Sequence, residues 1–231
     1  IYLLPVNGIA NRMRAIDSGI HFSEKFKSKI QIFWLRDEGL NCNFNTIFLS
    51  LPFIHDSDNW LIRLLFYLDR RFKSARIISL FFERIGFLKI FHENDYQELS
   101  EFANKNKRNY LFVLIKSYST FYPGNIFNTQ LFKLKPEIEA LIRKETEFFT
   151  KNTVGVHVRR KDNNASIENS PLELFEEYML KELQYQPLSN FYIASDDPII
   201  KEYFKMNIFW KDRVIVTSCI LNRDSKEGII Q

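Results

Sequence analysis

The sequence reads as an α/β protein built on parallel sheets. Three observations carry this: a β-α-β unit completed within the first 35 residues, strands alternating with helices after residue 153, and apolar runs short enough for interior strands. Residues 1–6 form such a run, and residues 7–11, which include Gly8, turn out of it. Residues 12–26 have helical spacing, with Ala15, Gly19, Phe22 and Phe26 at i, i+4, i+7 and i+11. Ile30, Ile32 and Trp34 alternate with polar neighbours as a second strand does. From 41 to 107 the pattern is mostly helical and irregular, 110–115 is another interior strand, and 136–149 is a helix opened by Pro136. The polar stretch 150–153 sets a boundary between an N-terminal α/β domain with a helical insert (1–150) and a C-terminal domain (151–231).

The second half repeats the same grammar. Val154, Val156 and Val158 share one face of a strand, so Gly155, His157 and Arg159 share the other, and Arg160 begins the exit turn. Ser170-Pro171-Leu172-Glu173 predicts a helix start with Ser170 as cap, Pro171 at the first helical position and Glu173 closing a capping box. Leu174, Phe175, Tyr178 and Met179 then line the packed face, with Glu176 and Glu177 in solvent. Residues 191–194 are the next strand, Ser195-Asp196-Asp197-Pro198 its exit turn, 199–204 a helix and 214–216 a strand. Ligands of parallel sheets sit beyond the C-terminal strand ends, where Arg159, Arg160, Asp162, Asp196 and Asp197 fall.

Composition bounds the function. With 231 residues and 45% hydrophobic content the chain can bury one large core or two small ones. A net charge of +4 with acids and bases interspersed gives no general reason to bind nucleic acid, and the 23 phenylalanines are spread as core residues are, without a basic stripe for stacking bases. Cys42 and Cys219 are too few for a disulfide scaffold and match no zinc spacing, so a reducing compartment is expected. The apolar stretches 60–68 and 77–88 are interrupted by Arg63, Glu83 and Arg84, short of the roughly 18–20 apolar residues of a membrane span. They read as packed helices, with contact at a membrane surface as the alternative. The chain opens at Ile1 without a signal-like leader and reads as trimmed at both ends; the cysteine usage and the absence of a signal make the cytoplasm, with or without membrane association, the expected location.

The chemistry concentrates at residues 154–162. A strand offering His157 beside Arg159 either has an interior carboxylate partner or leaves that face open to an anion, and a diphosphate is the anion such a cluster suits. The turn 7–11 precedes a helix N-terminus that favours anions, and Arg12 and Arg14 add charge. Gly-containing β-to-α turns are also common, and Ala10 stands where a phosphate loop has glycine, so Asn11 and Arg12 read equally as binding and as structural residues. Asp196 and Asp197 invite a metal, but an aspartate before proline at a helix start is more often a cap.

Four blocks carry a resemblance. His157-Val158-Arg159-Arg160-Lys161-Asp162 resembles the H-x-R-R-x-D block of GDP-fucose-dependent fucosyltransferases, in particular the α-1,6-fucosyltransferase and nodulation fucosyltransferase group. Glu176-Glu177-Tyr178-Met179 resembles the helix after that block, Ala194-Ser195-Asp196-Asp197-Pro198 the later T-D-D-P turn, and Asn7-Gly8-Ile9-Ala10-Asn11-Arg12-Met13-Arg14 the opening G-L-G-N-R-M block. The blocks occur in order over nearly the whole chain, with no signature between residues 37 and 150. The resemblance implies a GT-B-like fold of two Rossmann-like domains with parallel sheets, the C-terminal one incomplete. It implies an inverting transfer from GDP-fucose to a glycan, with the donor in the C-terminal half, the acceptor mainly in the N-terminal half, and neither a metal nor a cofactor besides the donor. By similarity Arg159 contacts the β-phosphate, Arg160 assists it or pairs with Asp162, His157 lies near guanine or ribose, and Asp196 or Asp197 orders the arginine loop. Glu168 lies near the family's acidic residue, while Asp17 and Asp37 remain further candidates for the base. The acceptor fits a bacterial surface polysaccharide or a lipid-linked oligosaccharide. A glycosyltransferase with another nucleotide-sugar, and a silent polysaccharide- or nucleic-acid-binding module, are the alternatives.

Overall fold

The computed structural model of the chain describes residues 1–37, 39–56, 60, 75–104, 110, 112–122, 124, 128–161 and 164–216. These form two compact units, the first reaching Ile138 and the second starting at Glu139. The division falls inside the helix Pro136–Glu145 and not at the expected 150/151 boundary. The polar stretch there is a tight turn feeding the second unit's first strand: Thr153 N–H donates to Thr150 O at 3.0 Å and Thr150 N–H to Thr153 Oγ1 at 2.8 Å.

In the first unit β1 (Tyr2–Pro5), α1 (Ile9–Phe26) and β2 (Gln31–Phe33) make the expected β-α-β unit, followed by β3 (Ile54–His55), α2 (Ala75–Arg84), β4 (Leu88–His92), α3 (Tyr96–Asn104) and β5 (Phe112–Ser117). The strands form one parallel sheet in the order β3-β2-β1-β5-β4. β1 is central because it is apolar on both faces: Leu3 packs with Ile16, Phe22, Trp34, Phe91 and Ile115, and Leu4 with Val6, Leu35, Leu88 and Leu114. Gly19 lets α1 lie close to that strand, since a Cβ there would sit 2.7 Å from Leu3 Cδ2. The expectation of a mostly helical 41–107 misses β3 and β4. Gly86, in the left-handed region at φ 70°, ends the helical turn, and the apolar run continues as strand.

After α4 (Pro136–Glu145), β6 (Thr153–Val158), α5 (Asn164–Asn169), α6 (Leu172–Tyr185), β7 (Asn190–Ser195), α7 (Pro198–Met206) and β8 (Val214–Val216) follow in order in the second unit, with a parallel sheet β6-β7-β8. Val156, Ile193 and Val216 are aligned across it and pack with Phe191, Met179, Phe204 and Trp210. α6 starts one residue later than expected. Pro171, extended at ψ 158°, is its N-cap, Ser170 does not cap, and no capping box forms. The packed stripe is Leu172, Phe175, Met179 and Leu183, whereas Tyr178 is 62% exposed. Glu176 is also not solvated as expected: it accepts from Trp210 Nε1 at 2.7 Å and Tyr203 O–H at 2.8 Å, tying α6 to α7 and raising the Tyr203 phenol above its ordinary pKa.

Candidate functional site

The exit of β6 is built by its neighbour β7. Val156 and Val158 are buried and Gly155 and His157 exposed, so the alternation read from the sequence holds through the strand. β6 ends at Val158, and Arg159 to Lys161 form the turn. At the end of β7, Ser195 Oγ donates to Val158 O at 2.6 Å and accepts from Asp197 N–H at 3.1 Å. Asp196 holds the turn with both carboxylate oxygens: Oδ1 accepts from Arg160 N–H at 2.7 Å and Oδ2 from Lys161 N–H at 3.2 Å. Backbone N–H groups gripping a carboxylate are charge-assisted and fix the turn's geometry. The two sequence-distant clusters therefore meet, and Asp196 orders the arginine turn through its backbone.

The two arginines are placed differently. Arg160 donates from Nη1 to Arg159 O at 3.1 Å and from Nη2 to Ser170 O at 2.7 Å, with its guanidinium 5.7 Å from the Phe175 ring centroid. It is a strut from the turn to the start of α6. Arg159, half-buried, is the first residue beyond β6. Asp197 caps α7, its carboxylate accepting from Ile199 N–H at 3.0 Å, with Pro198 beginning the helix. Glu168 lies exposed on α5. Asp162 lies outside the described residues. Among the described residues no cluster of three His, Cys, Asp or Glu side chains could hold a metal ion. Ser195 is the member that sequence reasoning passes over. Its only signal is a hydroxyl one residue ahead of the aspartate pair at a strand end.

The turn after β1 is a different construction, and of the two readings of Arg12, binding and structural, its geometry fits the structural one. Arg12 is fully buried. Its Nε donates to Asn7 O at 2.7 Å and Nη1 to Leu35 O at 2.5 Å, and the guanidinium lies 4.8 Å from the Trp34 ring centroid. Nη2 sits 2.9 Å from Asp37 Oδ1 but makes no hydrogen bond, so that contact is one of charge. Burial lowers the Arg12 pKa and Asp37 opposes the shift. Asn7 has φ 68°, and a Cβ on Gly39 would sit 2.7 Å from Asn7 Cα, so the loop after β2 closes on this turn. Asn11 Oδ1 accepts from the Arg14 guanidinium. The candidate bases are engaged as well: Asp17 Oδ1 accepts from Asn128 N–H at 2.9 Å, and Asp37 Oδ1, beside Arg12, accepts from Gly39 and Leu40 N–H.

No family model and no curated protein matches the chain. Solved structures do. The fucosyltransferase NodZ from Bradyrhizobium aligns with TM-score 0.59 at 13% identity, covering 94% of this chain and 78% of that one. A NodZ α-1,6-fucosyltransferase crystal soaked with GDP-fucose aligns with TM-score 0.55 at 11% identity, covering 94% and 77%. A mutant of Arabidopsis thaliana FUT1 in complex with GDP aligns with TM-score 0.54 at 11% identity, covering 99% of this chain and 60% of that one. At such identities the likeness is one of architecture: the chain has the GT-B-like, parallel-sheet α/β fold of these fucosyltransferases.

Proposed function

We propose that the chain is a fucosyltransferase-like glycosyltransferase that moves fucose from GDP-fucose to a glycan or lipid-linked oligosaccharide, inverting the anomeric centre without a metal ion. The observation that carries this reading is the turn 158–161, fastened by Ser195 and Asp196 at the C-terminal edge of a parallel sheet. It places Arg159 at the edge where such sheets bind ligands. In the reaction the acceptor hydroxyl oxygen bonds to fucose C1, the bond from C1 to the diphosphate oxygen breaks, GDP leaves with that electron pair, and the hydroxyl proton passes to a carboxylate. Arg159 stabilises the charge growing on the diphosphate, as a fixed guanidinium fork can. His157, exposed on β6 beside it, contacts the nucleoside, and Arg160 and Asp196 keep the turn in register. Glu168 is the base of this proposal, since Asp17 and Asp37 are committed to backbone and ion-pair contacts.

Arg159→Lys tests the assignment, because lysine keeps the charge and loses the fork. Turnover with GDP-fucose is expected to fall about 10² to 10³-fold with unchanged melting temperature. Turnover within about twofold of wild type would remove Arg159 from the chemistry. Thermal shift with GDP-fucose, GDP-mannose and UDP-sugars identifies the donor, since a ligand bound only by the native state raises Tm. Stabilisation by UDP-sugars alone would overturn the GDP reading.

A further inference from the structure

We infer that Glu176 is a positioning residue for the arginine turn, acting through the two helices that flank it. The Glu176-Glu177-Tyr178-Met179 block is a part of the sequence resemblance to which the proposed reaction gives no role. Its two glutamates are placed differently. Glu177 is exposed and pairs with Lys181 one turn further along α6. Glu176 faces α7, and both of its bonds end on one oxygen: Oε1 accepts from Tyr203 O–H at 2.8 Å and from Trp210 Nε1 at 2.7 Å. Asn207 Nδ2 donates in turn to Tyr203 Oη at 3.2 Å, and the buried Trp210 meets Phe191 of β7 edge-on. One carboxylate oxygen thus anchors the C-terminal end of α7 and the loop that leads to β8.

Both helices begin at the arginine turn. Ser170 O, just ahead of α6, accepts from Arg160 Nη2, and Phe175, the residue before Glu176, lies under the Arg160 guanidinium. α7 starts directly after Asp196 and Asp197, and Asp196 holds the Arg160 and Lys161 N–H groups. Glu176 therefore fixes the helix that braces the Arg160 side chain against the helix whose entry braces the turn's backbone. The packed stripe of α6 is apolar, and such packing is non-directional. The shared carboxylate oxygen supplies a directional, charge-assisted tie that sets the register of α6 on α7. A slip between the helices would move Ser170 O and Phe175 relative to Asp196, and Arg159 shares the backbone of the turn they hold. Functional groups keep their geometry only when such supporting bonds lock the elements beneath them. The inference rests on the donor reading proposed above, and the test separates the two.

The test titrates GDP and GMP into the purified wild-type chain and its variants by calorimetry, with Tm measured beside each. Glu176→Ala removes the shared acceptor and should lower the preference for GDP over GMP about fivefold or more, because a small displacement of positioned groups is costly. Glu176→Gln keeps one carbonyl oxygen for the two donors and should retain most of the preference. A loss equal to that of Glu176→Ala would overturn the inference. Glu177→Ala, in the same block, should leave the preference unchanged, and an equal loss there would overturn it too. A lower Tm in Glu176→Ala with the wild-type preference intact would make Glu176 structural only. Where Glu176→Ala does not fold, Tyr203→Phe decides, since it removes one of the two donors from a ring that is 36% exposed. It should lower the preference about twofold or more, and an unchanged preference would overturn the inference. A wild type without any GDP preference would overturn the donor reading itself, and this inference with it, a result distinct from those of the variants.

Discussion

Two turns in this molecule follow a parallel strand and set an aspartate beside an arginine segment, and the aspartate acts differently in each. After β1, Arg12 is sealed beneath Trp34, neutralised by Asp37 and spent on the carbonyls of Asn7 and Leu35. After β6 the acid, Asp196, grips the backbone of the turn, and the Arg160 guanidinium braces the start of α6. The difference lies in what the nearby carboxylate touches. An aspartate on the side chain buries an arginine as a structural pin; an aspartate on the backbone amides presents the turn.

The largest effect expected from this contrast is on stability at the first turn. Arg12→Leu leaves Asp37 near the core without its cation and should cost about 3–5 kcal/mol, read as a lower denaturant midpoint. A loss below about 1 kcal/mol would mean that the pair contributes little. Cys42 reports the same core. It is buried, its thiol pKa is raised by burial, and its carbonyl accepts from Trp34 Nε1 at 2.8 Å. In a Cys219→Ser background its alkylation should be slow in the wild type and faster in Arg12→Leu. At the second turn, Arg159→Lys should show the reverse profile, with activity lost and stability kept.

A smaller effect is expected from Asp196→Ala, which removes two charge-assisted hydrogen bonds and should cost about 2–3 kcal/mol. It should also lower kcat/KM by freeing the arginine turn, and Asp196→Asn should recover part of the stability through its remaining acceptor oxygen. Equal activity in Asp196→Ala and wild type would detach the clamp from function.

Lys89 gives the mildest case, a cation only partly withdrawn from water. Its Nζ lies 2.5 Å from Glu83 and 3.0 Å from Glu98. Burial lowers its pKa, but the hydrogen bonds and charges of the two glutamates outweigh it and the net shift is upward from 10.5. A raised folded-state pKa makes a contribution present below the unfolded value and lost as pH rises through the folded one. Stability should therefore decline above about pH 10.5, less so in Lys89→Met, with a difference of about 1 kcal/mol or less.

The comparison also shows what was legible in the sequence. The period-2 valines located β6, and the Asp-Pro step located the cap of α7, because both signals are local. The fate of Arg12 was not legible. Its partner Asp37 lies beyond an entire helix and strand, and Gly39 gives no sign in sequence that it closes on Asn7. Ser170 and Pro171 followed a helix-start pattern, yet Ser170 O serves Arg160 and Pro171 takes the cap position. Tertiary contacts of this kind override local propensity without leaving a pattern. Strand β4 was hidden for another reason, since its apolar residues continue the run of the preceding helix.

The most direct measurement of the central claim is titration calorimetry with GDP and GMP against the wild-type chain and Arg159→Lys. If the clamped turn grips a diphosphate, GDP binds the wild type at least about tenfold more tightly than GMP, and Arg159→Lys removes most of that preference. Equal affinity for the two nucleotides, or a GDP preference that survives the substitution, would contradict it.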